Sequence, residues 1–149
     1  MGDEKKITKK YFEETKAKAE KGNKIAQFFL GMMYDNGEGV LEDDKEALKW
    51  FRKAADQGYA DAQNGLGRMY DFGKGVLEDD KKAVKWYHKA ADQGYAEAQY
   101  NLGNMYANGE GVAKDFKEAV KWWRKAAEQG YAEAQGNLGN MYADGEGVL

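Results

Sequence analysis

The sequence predicts an all-α fold, a solenoid of 36-residue helix-turn-helix repeats. Three observations predict it. Gly22, Gly58, Gly94 and Gly130 stand 36 residues apart, as do Gly31, Gly67, Gly103 and Gly139 and Tyr34, Tyr70, Tyr106 and Tyr142. Residues 58–93 laid over 94–129 agree at 22 of 36 positions, a fixed period that marks a stacked array. Within each period the apolar residues recur at helical spacing.

The elements follow in order. Residues 1–22 read as an N-terminal capping helix, its helical part 8–21. They align with the second helix of each repeat, with Thr8 as its cap. Tyr11 and Lys18 stand there in place of alanines and Glu14 in place of a tryptophan, the polar face an end repeat needs. Repeats then run over 23–57, 58–93 and 94–129, with a truncated fourth at 130–149, all in one repeat domain. In the second repeat, Ala62, Leu66, Met69 and Tyr70 form the stripe of a first helix over about 60–72. A carboxylate (Asp61, Glu97, Glu133) sits in its first turn, where it complements the helix dipole. Gly67 and its equivalents cost about 1 kcal/mol each inside a helix, so close approach of a neighbouring helix is the expected reason for them.

Gly73-Lys74-Gly75-Val76 and its repeats break that helix and add an apolar plug. A second helix follows, capped by Asp43, Asp79 or Asp115. Glu46 and Glu118 complete the pattern of a capping box, whereas Lys82 breaks it. Its stripe is Ala83, Val84, Trp86, Tyr87, Ala90 and Ala91, and Gly94 ends it in a left-handed turn. The last first-type helix spans about 132–144. The chain stops at Val148-Leu149 with no helix after it, which leaves part of that stripe without a cover.

Composition narrows the function. Net charge is −3, so no nucleic-acid footprint is expected, and no apolar run reaches the roughly 20 residues of a membrane span. No secretory signal is read at the N-terminus, and the compartment stays open. The sequence contains no Cys, Pro or Ser. The usual nucleophiles are therefore missing and His88 is a lone imidazole, so no enzyme, no metal and no cofactor is expected. The loop Asp35-Asn36-Gly37-Glu38-Gly39 lacks the ligand spacing of a calcium loop.

The stretches Ala60–Gly94 and Ala96–Gly130 carry A-x-A-Q-x-x-L-G-x-M-Y-x-x-G-x-G-V followed by D-x-x-x-A-x-x-W-x-x-K-A-A-x-Q-G. In this the chain resembles the Sel-1-like repeat family, relatives of the tetratricopeptide repeat, over about residues 24–147. The resemblance implies a right-handed α-α superhelix serving as an adaptor that holds protein partners. The family often has proline after the G-x-G-V loop, where Leu41, Leu77 and Ala113 stand here.

First-helix positions away from the packed stripe vary while their neighbours stay fixed, so the concave groove is expected along them. The candidate partner-binding residues are Phe28, Met32, Asn64, Arg68, Phe72, Tyr100, Asn101, Asn104, Asn108, Asn137 and Asn140. The N-terminal members are apolar and the C-terminal ones amide-rich, suited to an anchor side chain and to a peptide main chain. In tetratricopeptide relatives such amides hold the peptide or its terminal carboxylate. The basic residues of such a clamp are mostly missing here, so a C-terminal clamp is not expected. Phe28 and Phe29 have a structural alternative, as cover for the first hairpin. The asparagines have one too, as solvated surface or as bridges between helices. Two other readings stand beside the binding module: end-to-end self-association through the uncovered C-terminal helix, and an engineered, consensus-like scaffold.

Overall fold

A computed structural model of the chain describes residues 2–145; Val148 and Leu149 lie outside them. Among the described residues there are eight α-helices and no strand. The chain divides into two compact units, residues 1–78 and 79–149.

The first unit holds α1 (Gly2–Glu20), α2 (Lys24–Asn36), α3 (Asp44–Asp56) and α4 (Ala60–Phe72). Each helix packs on the next in sequence. α1 begins six residues before the expected start. Thr8 is therefore no cap but an interior residue, whose hydroxyl donates to the Glu4 carbonyl at 2.8 Å. Its polar face is as expected: Phe12, Thr15 and Ala19 are buried, while Tyr11, Glu14 and Lys18 face out.

The second unit holds α5 (Asp80–Asp92), α6 (Ala96–Asn108), α7 (Phe116–Glu128) and α8 (Ala132–Asp144). α6 packs on α5 and α7, and α8 on α7. Ala119, Val120, Trp123, Ala126, Ala134 and Met141 form its core cluster.

Asp43, Asp79 and Asp115 cap α3, α5 and α7 through side-chain bonds to backbone N–H groups. The capping box does not close. The Asp43 and Asp115 N–H groups donate instead to the Tyr34 and Tyr106 carbonyls at 2.9 Å, tying each loop back to the helix before it. Glu46 and Glu118 are left to pair with Lys49 and Lys121 one turn on. The same carboxylates, after burial itself, push the Tyr34 and Tyr106 hydroxyls above the ordinary tyrosine pKa.

Two kinds of inter-repeat contact recur every 36 residues. The second glycine of each G-x-G-V loop lies on the backbone of an earlier helix, at the first residue of α3 and α5 and at Thr8 inside α1. A Cβ on Gly39, Gly75 or Gly111 would meet the carbonyl oxygen of Thr8, Asp44 or Asp80 at 2.7, 2.4 and 2.4 Å. All three also have φ near +70°, so glycine is required there twice over. In addition, the glutamine of A-x-A-Q spans two helices. Gln27, Gln63 and Gln99 are buried and donate to the Ala19, Ala55 and Ala91 carbonyls at 3.2, 3.3 and 3.2 Å. The glutamine thereby adds a second bond to a helix-end carbonyl that already accepts from the Gly22, Gly58 or Gly94 N–H.

Candidate functional site

The sequence places amides on α6 and α8 at positions 104, 108, 137 and 140. In the second unit these four side chains line one open cleft of about 260 Å³, with Trp123, Met141 and Asp144. α6 and α8 supply opposite walls and α7, through Trp123, the floor. The cleft exists because Asn104 and Asn140 occupy a helix face that the packed stripe leaves free, while Met141 and Trp123 close it below.

Its hydrogen bonds fix the direction of one amide. Trp123 is buried, yet its indole N–H donates to Asn104 Oδ1 at 3.2 Å and to the Tyr100 carbonyl at 3.3 Å. Asn137 Nδ2 donates to the same Asn104 Oδ1 at 3.2 Å. An indole can only donate, so the Asn104 oxygen must face inward. Its amide nitrogen is then the group turned toward a ligand. Asp144 is the one charged residue of the lining; no Lys or Arg contributes.

Of the other expected residues, Asn101 is half-buried and does not line the cleft. Tyr100 stacks on Tyr131 with centroids 5.1 Å apart, which makes it a brace between helices rather than a free surface ring. In the first unit Phe28 has the same bracing role. Its ring lies 5.5, 5.7 and 5.4 Å from those of Phe29, Phe51 and Tyr59. Asn64 is 3% exposed and so belongs to no accessible wall. Met32 and Phe72 are exposed, Phe72 at 70%, and Arg68 is exposed.

Trp123 and Met141 were not expected in the site. Trp123 shares its register with Phe51 and Tyr87, both buried core residues, so its period gives no sign of a second role. The signal available was chemical: of the two, only an indole carries an N–H that needs an acceptor.

His88 is part-buried, its Nδ1 3.0 Å from Asp92 Oδ2 one turn on, and its ring meets Trp122 edge-on. It lies outside the cleft. No helix among the described residues is long and apolar enough to cross a membrane.

Comparison with known proteins agrees with this architecture. The Sel1 repeat matches residues 24–59, 60–95, 96–131 and 132–149. A solved structure of a protective antigen present in uropathogenic Escherichia coli strains, with an SLR fold, is similar over 93% of this chain at 47% identity and TM-score 0.90. A Sel1 repeat protein from Oxalobacter formigenes is similar over 87% at 42% identity and TM-score 0.81. Cysteine rich protein B of Helicobacter pylori is similar over 87% at 26% identity and TM-score 0.72, with 96% of its own length covered. This chain spans only 30% of the Escherichia coli protein and 53% of the Oxalobacter one. No curated protein matches it. With four repeats matched across residues 24–149 and an all-helical hairpin architecture shared with these structures, the chain belongs to the Sel1 repeat family.

Proposed function

We propose that the chain is a protein-binding scaffold whose α6–α8 cleft takes the main chain of an extended peptide segment. The observation that carries this is the Asn104 oxygen held by Trp123 and Asn137. With that oxygen occupied, Asn104 offers N–H donors and Asn137 keeps its carbonyl as an acceptor. One donor beside one acceptor matches the C=O and N–H of a peptide unit.

The lining also sets a charge preference. Asp144 without a basic neighbour in the cleft disfavours a peptide carboxyl terminus or an acidic segment and favours neutral or basic sequence. The wider family reading, repeats that hold protein partners, agrees with this choice.

The test uses Asn104→Asp. The carboxylate still accepts from Trp123 and Asn137, so the fold is kept, but the donor is lost. Peptides selected from a displayed random library should bind this variant about tenfold more weakly, the effect of one hydrogen bond. The melting temperature should not change. Equal affinity for wild type and variant would refute the cleft as the binding site.

A further inference from the structure

The first unit contains a second open site, a cavity of about 220 Å³ between α1 and α2. Tyr11, Thr15, Ala26, Ile25 and Phe29 line it, with Lys18 beside them. Three of these are large and exposed: Tyr11 at 52%, Ile25 at 48% and Phe29 at 43%.

The repeat period says what shape fits there. Tyr11, Thr15, Ala26 and Phe29 stand 36 residues before Ala47, Phe51, Ala62 and Gly65. Those later residues form the surface of α3 and α4 on which α2 rests. Phe28 of α2 stacks against Phe51 and Tyr59, and a Cβ on Gly31 would meet the Phe51 ring at 2.7 Å. The cavity is thus the seat of a first-type helix, here with none in it.

Among the described residues, α8 is a first-type helix with its own face uncovered. Gly136 and Gly139 of α8, one turn apart, have nothing within 4 Å, and Tyr142 is 46% exposed. The bulk also matches. Across the α2 contact the ring is Phe51, with glycines at 31 and 65 on either side. In the vacant seat the ring is Phe29 and the space Phe51 would fill is cleared by Thr15. Gly136 and Gly139 together leave a smooth turn for that ring. Charge adds to the match: residues 1–24 hold eight lysines and five carboxylates, whereas residues 126–149 hold four carboxylates and no Lys or Arg.

From this we infer that α8 of a second copy docks between α1 and α2, continuing the 36-residue register from one chain to the next. The contact is heterologous, so it leaves a free seat and a free helix at the ends of every open assembly.

Sedimentation or light scattering over a roughly thousandfold concentration range tests it, without any peptide present. Wild type should rise from 16.7 kDa to twice that mass or more. Added salt should weaken the association. Gly139→Trp spoils the helix and Phe29→Glu the seat, and each alone should remain monomeric. Both positions are open in the single chain, so neither variant should lose its helical melt, and Ile25→Glu serves as a second seat variant. Mixing the helix-defective and seat-defective chains should restore a dimer, since one intact helix meets one intact seat. A wild type that stays monomeric overturns the inference, as does a variant that assembles like wild type or a mixture that stays monomeric. None of these outcomes bears on peptide binding in the cleft, which is read with Asn104→Asp.

Discussion

α6 and α8 are nearly the same helix. They agree at 11 of 13 positions, differing at Tyr100/Gly136 and Asn108/Asp144. Their environments are not the same. Leu102 is fully buried and Gly103 lies under the Trp123 ring, where a Cβ would stand 2.4 Å from Cδ1. Leu138 is only part-buried, and nothing comes within 4 Å of Gly139. The difference is in the neighbours: α6 packs on both α5 and α7, whereas α8 packs on α7. A repeat helix therefore carries half of an interface; its sequence names the partner's shape, and only the neighbour makes it core.

Paired substitutions sharpen this contrast. The largest effect is expected at the leucines. Leu102→Ala should cost about 3 kcal/mol in chemical denaturation, through lost burial and the cavity left behind, whereas Leu138→Ala should cost about 1 kcal/mol or less. Equal losses would mean that α8 is covered in solution. Next come the glycines, where the two sites should differ in sign. Gly103→Ala pushes a methyl into the Trp123 ring and should destabilise by about 1–3 kcal/mol. In solution dilute enough to keep the chain monomeric, Gly139→Ala meets open space and should stabilise by up to about 1 kcal/mol from helix propensity alone.

A smaller effect is expected at the floor of the cleft. Trp123→Phe keeps a ring over Gly103 but removes the N–H shared by Asn104 and the Tyr100 carbonyl. A loss of about 1 kcal/mol is expected, with greater mobility of the Asn104 side-chain amide in nitrogen relaxation. The α8 glutamine offers the matching control. Gln135 makes the same bond to the Ala127 carbonyl as Gln99 makes to Ala91, but in the open. Gln135→Ala should therefore cost less than Gln99→Ala.

The smallest effect is one of pH. In the first unit Lys74 donates to Asp35 at 2.5 Å, and this bond, with Asp35, Asp44 and Glu42 nearby, raises its pKa above the usual lysine value against the opposing pull of burial. The raised Tyr34 and Tyr106 hydroxyls act in the same direction. In all three the folded chain holds its proton longer than the unfolded one. Their contribution is present below about pH 10 and is lost as pH rises through the folded values. Urea midpoints should fall above that pH, and Lys74→Met should make the decline shallower.

Much of the fold could be read before any coordinates. The ranges expected for α4 and α8 are those observed, since four glycines per period punctuate the chain and the apolar stripe has one spacing. The aspartate caps were legible because a carboxylate at a helix start has one main use. Other features were not. The capping box failed because the Asp43 and Asp115 N–H groups had a competing acceptor, the carbonyl of a tyrosine nine residues earlier in sequence. Thr8 failed as a cap because lysines and glutamates before it favour helix as well as those after it. The glycines at 31 and 103 do lie against a neighbouring helix, as expected, but which side chain fills the space, the Phe51 or Trp123 ring, was not legible. The site was legible only in part. Four of the expected asparagines share a cleft, but Phe28 and Tyr100 brace other rings and Asn64 is buried, because variation between repeats marks bracing positions as readily as binding ones.

By itself the sequence determined the period, the ends of the repeat helices and the residues that must be small or apolar, since these follow from local backbone chemistry repeated along the chain. Only the tertiary structure decided which copy of a repeated residue is core and which is surface. It also decided which way the Asn104 amide faces. Burial and hydrogen-bond direction are properties of neighbours, and identical residues in this chain do not have identical neighbours.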